Sequence, residues 1–139
     1  MAQTTFNGPV TSQNGFITGH QVTAANAINA TATATAAQVA TGYITSTSAS
    51  GTVITLPTGT LLGAALSATQ GTSLDLYIDN TAGASTVTIA VATNGVLSTA
   101  AVDTAGSFGD LTVASGATGL ARFTIMFSSA TAYAFTRTA

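Results

Sequence analysis

The sequence predicts an all-β protein: a jelly-roll-like antiparallel β-sandwich with an extended N-terminal arm and one or two short helices. Three observations carry this expectation. Short segments alternate apolar and polar residues with period 2, the pattern of half-buried strands. Clusters of Gly, Asn, Ser and Pro separate those segments at the spacing of sandwiches and jelly rolls. The polar residues are hydroxylated rather than charged: Asp, Glu, Lys and Arg make up 4% of 139 residues, where ordinary soluble domains have about 25%. Thr is abundant, β-branched and suited to a pleated, half-exposed surface.

The arm comes first. Residues 1–20 contain Asn7-Gly8 and Asn14-Gly15, each a tight-turn signal. Phe6, Val10, Phe16 and Ile17 lie around those turns. Large apolar side chains in a short polar stretch predict a docking arm, with these residues as its anchors. Residues 21–139 then form the sandwich domain, entered through a linker over about 21–35. Within the linker, residues 31–35 alternate Thr and Ala, which reads as linker or edge strand. Thr35 is placed to cap a short helix over Ala36–Ala40, closed by Gly42.

Strands dominate from Tyr43 onward. Residues 43–47 and 51–56 are expected strands, the second ended by Pro57. Thr58 precedes a short helix whose Leu61, Leu62 and Leu66 are spaced for one face. The clearest strand is Ser73–Asp79, with Leu74, Leu76 and Ile78 on one side and Asp75, Tyr77 and Asp79 on the other. Residues 80–83 turn the chain into 86–91, where Val87, Ile89 and Val91 face inward. Asn94-Gly95 marks the next turn, followed by brief strands at 96–97 and 111–113. A hairpin closes the chain, with strands at 121–127 and 133–137 and a turn at 128–131. Its inward residues are Phe123, Ile125, Phe127, Tyr133 and Phe135. No fixed-period repeat is present, which argues against a solenoid.

Composition excludes several function classes. Without cysteine there is no disulfide, thiolate catalysis or Cys-based zinc site. Two Arg and no Lys cannot neutralise a phosphate backbone, so no nucleic-acid partner is expected. No apolar run approaches the ~20 residues of a membrane helix, so no membrane partner is expected either. The first residues lack the basic-then-apolar order of a secretory leader. A mean hydropathy of +0.48 with a net charge of −2 argues against disorder. Low charge also leaves strand edges without the repulsion that keeps monomers apart, so an assembled state is expected.

Catalysis lacks its parts. His20 is the sole histidine, it sits in the arm, and no acid lies near it in sequence. Asp75 and Asp79 would stand about 13 Å apart along a strand, too far for a carboxylate pair acting on one bond. Asp103 and Asp110 flank a Gly-rich loop whose spacing is not that of an EF-hand. Gly106 and Gly109 are followed by no phosphate-binding Lys. The expectation is therefore a non-enzyme with no cofactor and no metal site. Asn29-Ala30-Thr31 matches a glycosylation acceptor, a short motif that recurs by chance. Ice binding would need a long flat Thr array on a regular repeat, which the sequence lacks. Arg122 and Arg137 are expected as rim contacts of the final hairpin, facing each other or a partner's carboxylates.

Residues 4–17, Thr-Thr-Phe-Asn-Gly-Pro-Val-Thr-Ser-Gln-Asn-Gly-Phe-Ile, resemble the N-terminal arm of small head-associated proteins of tailed bacteriophages. Val53-Ile54-Thr55-Leu56-Pro57-Thr58 before a short helix is similar to theirs. So are residues 79–83 followed by Thr86-Val87-Thr88-Ile89, and the aromatic-rich final hairpin. The resemblance implies a structural virion protein: a capsid decoration or cement protein, usually a homotrimer, bound to the major capsid protein on the outer capsid surface. The alternative is a tail- or fibre-associated module that binds host surface glycans.

Overall fold

A computed structural model describes residues 26–97 and 111–138. The elements in chain order are β1 (Ala32–Thr33), α1 (Ala36–Ala40), β2 (Tyr43–Thr45), β3 (Thr52–Thr55), α2 (Gly59–Leu66), β4 (Ser73–Asp79), β5 (Val87–Ala90), β6 (Gly95–Leu97), β7 (Thr112–Val113), β8 (Leu120–Ser129) and β9 (Ala132–Arg137). The structure is mostly β, 41% strand in two sheets, with two short α-helices.

Local chemistry explains where the helices start. Thr35 caps α1 through a reciprocal pair. Its Oγ1 accepts from the Gln38 N–H at 3.1 Å, and Gln38 Oε1 accepts from the Thr35 N–H at 2.9 Å. Two otherwise orphaned donors are thereby satisfied. Thr58 caps α2 by accepting from the Leu61 N–H at 3.3 Å. The packed face of α2 differs from the expected leucine face. Leu62 is buried, but Leu61 is 60% exposed. Gly59 and Gly63 share the buried side with Leu62, because α2 lies directly on the β8–β9 turn. A Cβ on Gly63 would overlap the Ala130 carbonyl, so only glycine permits that approach.

The expected antiparallel pairing is corrected: both sheets are mixed. Strand order is β1-β3-β5-β7 in one sheet and β2-β4-β8-β9-β6 in the other. Pairs β1–β3, β3–β5, β2–β4 and β6–β9 are parallel. Pairs β4–β8, β5–β7 and β8–β9 are antiparallel. The cause is that the chain changes sheet at every strand up to β8. In the pairs β1–β3, β2–β4 and β3–β5 a strand meets its next-but-one neighbour after a round trip through the other sheet, running the same way, whereas β7 returns antiparallel to β5. Such crossovers are what parallel pairing requires. Only β8 and β9 form the expected hairpin, with the turn shortened to Ala130 and Thr131. β1 lies at the edge of its sheet, within the stretch expected to be linker or edge strand.

Alternation along the strands puts inward rows from both sheets into one hydrophobic cluster. Ile54, Val87, Ile89 and Val113 come from the four-stranded sheet. Ile44, Leu76, Ile78, Phe123, Ile125, Phe127, Tyr133 and Phe135 come from the five-stranded sheet. Phe123 stacks on Phe135 at 4.9 Å between ring centroids and 13° between planes. Each fully buried side chain of this size contributes about 1.5–3 kcal/mol. Arg122 and Arg137 do not face each other, since they occupy opposite faces of the hairpin. Arg137 pairs across from Phe123, lies over its ring at 6.0 Å, and donates to the Thr112 carbonyl at 2.8 Å. It therefore ties β9 to β7 in the other sheet.

Two buried polar side chains complete the frame. Tyr133 donates to the Pro57 carbonyl at 2.9 Å. Asn80, fully buried at the end of β4, directs its amide nitrogen at the carbonyls of Ser85, Val113 and Ala114, at 2.8, 3.2 and 2.9 Å. Its Oδ1 has no hydrogen-bond partner and occupies the space that a Cβ on Gly83 would fill. Asn80 thus binds the 80–85 turn to the exit of β7.

Two tests follow from these groups. Asn80→Ala leaves buried carbonyls without their donor, and is expected to cost about 2–4 kcal/mol. Urea unfolding should show this as a lower midpoint at an unchanged slope. Burial pushes the Tyr133 phenol up from 10.0 to about 12. A group with a raised folded-state value keeps its full contribution below the unfolded value and loses it as pH rises through the folded one. Wild-type stability should therefore fall between about pH 10 and 12 more steeply than that of Tyr133→Phe.

Candidate functional surface

The expected arm anchors, Phe6, Val10, Phe16 and Ile17, lie outside the described residues, as do His20, Asp103 and Asp110. What the structure does describe is how the chain enters the domain. Ala27 bridges to Thr45 in parallel, so residues 26–28 extend the five-stranded sheet past β2. The Thr45 N–H donates to the Asn26 carbonyl at 3.0 Å, and the Ile28 N–H donates to the Thr45 carbonyl at 2.9 Å. The Asn26 side-chain amide donates to the Gln38 carbonyl, the Tyr43 carbonyl and Thr41 Oγ1, at 2.9, 2.8 and 3.0 Å. One largely buried side chain therefore fastens the entering segment to both α1 and β2. Asn29 adds a further tie, its Oδ1 accepting from the Thr47 N–H at 2.8 Å. Sequence reasoning missed Asn26. Its only signal was an amide residue within an otherwise plain Ala-Asn stretch.

The outer face of the five-stranded sheet begins at this entry point. Strand register sets Tyr43, Tyr77 and Arg122 in one cross-strand row. Thr45, Asp79 and Leu120 form the next row, and Asp75, Thr124 and Thr136 another. Leu120 and Met126, near opposite ends of β8, are 54% and 53% exposed, and Tyr77 between them is 36% exposed. Asp75, Asp79 and Arg122 all stand on this face. The outer face of the other sheet carries Val53, Thr88 and Thr112 in one cross-strand row and Thr33, Thr55 and Ala90 in the next, with no charged side chain among the described residues of its strands.

Hydrogen bonds fix the acidic groups. Tyr43 donates its hydroxyl to Asp79 Oδ2 at 2.5 Å. Asp79 Oδ1 accepts from the Thr81 hydroxyl at 2.6 Å and from the Thr81 N–H at 3.0 Å. The Thr81 hydroxyl first, then Tyr43 and the Thr81 amide, hold the Asp79 carboxyl below its usual value of 3.8. The same carboxylate pushes the Tyr43 phenol above 10.0, with burial adding to it. The Thr124 hydroxyl donates to Asp75 Oδ1 at 2.9 Å. Arg122 Nε donates to Thr138 Oγ1 at 3.3 Å. Asp75 and Tyr77 are exposed as the sequence predicts for the outward side of this strand, whereas Asp79 is half-buried.

Among the described residues no three His, Cys, Asp or Glu side chains gather into a possible metal site. Among them, too, no helix is long and apolar enough to cross a membrane. No protein-family model matches the chain, and neither a curated protein nor a solved structure is similar to it.

The Asp79 cluster carries a pH prediction. A depressed folded-state value contributes stability above the unfolded value and loses it as pH falls through the folded one. Asp79→Asn is expected to cost about 1 kcal/mol at neutral pH. Its deficit relative to wild type should shrink below about pH 4, read as converging thermal midpoints.

Proposed function

We propose that this chain is a structural virion protein: a decoration, or cement, protein on the outer surface of a tailed-phage head. In this reading residues 1–20 are an arm laid across the major capsid protein, with Phe6, Val10, Phe16 and Ile17 as apolar anchors. The remaining chain is the domain that the arm holds in place, assembled with further copies as a homotrimer. It performs no catalytic step.

The observation that supports this most directly is the fastened entry of the chain. Residues 26–28 are added to the sheet edge in the manner of an inserted strand, and Asn26 ties them to two elements. Whatever the preceding residues grip is thereby coupled to the β framework rather than to a free tether. β-strand addition supplies this kind of coupling through main-chain bonds. The scarcity of charge is a second support: the strands of the four-stranded sheet carry no charged side chain on their Thr- and Val-bearing outer face, so burial against a partner would strand no charge there. A sandwich arrangement of the two sheets belongs to the same reading, and their shared apolar cluster supports it.

The deciding experiment removes residues 1–20 and adds the truncated protein to capsids that lack it. The expected result is an unchanged far-UV spectrum with lost capsid occupancy. Occupancy equal to that of the full chain would overturn the proposal. Copy number in the intact particle separates head from tail: many copies on the shell fit decoration, and a few at the tail fit an adhesion module.

A further inference from the structure

We propose that the outer face of the five-stranded sheet binds a neutral hexopyranose unit of a glycan, stacked on Tyr77 and hydrogen-bonded by Asp75 and Arg122. The inference goes beyond mounting on a particle and stands on this face alone.

Tyr77 is central to the face. It sits on β4 between Tyr43 of β2 and Arg122 of β8 and is 36% exposed. Asp75 and Arg122 are diagonal neighbours across β4 and β8, and each adjoins Tyr77 on this face: Arg122 directly across from it, Asp75 two residues before it on β4. Both keep capacity to spare. Asp75 receives the Thr124 hydroxyl on Oδ1, and Oδ2 has no partner among the described residues. Arg122 uses Nε on Thr138, which leaves its two terminal amino groups for a ligand. In contrast, Asp79 already accepts three hydrogen bonds and serves to orient Tyr43.

That set complements a pyranose. A sugar ring has an apolar C–H side, which suits an aromatic plane, and a rim of hydroxyls that both donate and accept. A carboxylate only accepts and a guanidinium only donates, so the two together engage adjacent hydroxyls. The two aspartates outnumber the arginine, which disfavours acidic sugars. An apolar protein partner would bury these charges without compensation, at a cost that such contacts do not recover. In a chain with 4% charged residues, the placement of Asp75, Asp79 and Arg122 on one face is a specific investment in polar recognition.

The test titrates neutral glucose, galactose and mannose oligosaccharides, at millimolar concentrations, into the isotope-labelled full chain. Amide shifts for at least one sugar are expected to cluster at residues 43–45, 75–79 and 120–124. Tyr77→Ala should weaken that binding about tenfold, the scale of one aromatic contact. Arg122→Gln should weaken it several-fold, while Tyr77→Phe retains it and shows that the ring, not the fold, is responsible. Thr88→Ala, on the opposite sheet, should leave it unchanged. Three results overturn the proposal: no sugar shifts these residues, binding survives Tyr77→Ala, or the same residues shift with protein concentration alone. The last would mark the face as a contact between copies.

Discussion

Everything in this domain depends on the inward row that runs across β4, β8 and β9. Leu76, Ile78, Phe123, Ile125, Phe127, Tyr133 and Phe135 are at most 1% exposed. With so few charges in the chain, ion pairing contributes little to cohesion. Burial and backbone pairing carry it, aided by a few hydroxyl and amide bonds. That explains why the longest strands are also the richest in aromatics. It also explains why the shorter strands of the other sheet, which bring mainly Val and Ile, are held against this layer by special ties. Arg137 and Asn80 are two of them, each reaching a carbonyl on or next to β7.

Much of the fold is legible in the sequence at the level of single elements. α1, α2 and β4 lie where capping residues and period-2 alternation put them, because those signals are local. The β8–β9 hairpin is legible for the same reason. Partner choice is not. Alternation tells which side of a strand is buried, and says nothing about whether the next strand returns in the same sheet or crosses to the other. Seven-residue β4 looks the same whether its neighbour is β2, parallel, or β8, antiparallel. Glycine on a helix is similarly ambiguous: Gly59 and Gly63 lower the intrinsic helix propensity of α2, yet they are its contact surface.

The candidate surface was partly legible. The outward side of β4 places Asp75 and Tyr77 in solvent, as the pattern requires. The neighbours that give them meaning, Tyr43 and Arg122, come from strands 34 residues before and 45 residues after Tyr77, as the paired positions show. Such a row exists only once register is fixed. Asn26 and Asn80 were invisible for a related reason. An asparagine in a loop is ordinarily a turn former, and only burial turns it into a clamp between distant carbonyls.

The parallel stitch of residues 26–28 along β2 has a mechanical side. A pull on the chain ahead of Asn26, directed along the strand axis, loads the two main-chain bonds to Thr45 and the three side-chain bonds of Asn26 together. Bonds loaded in shear share the force, whereas bonds at a fraying edge break one at a time. The entry point is thus built as a lap joint, and it would transmit a tug on the leading segment into the aromatic layer before it peeled.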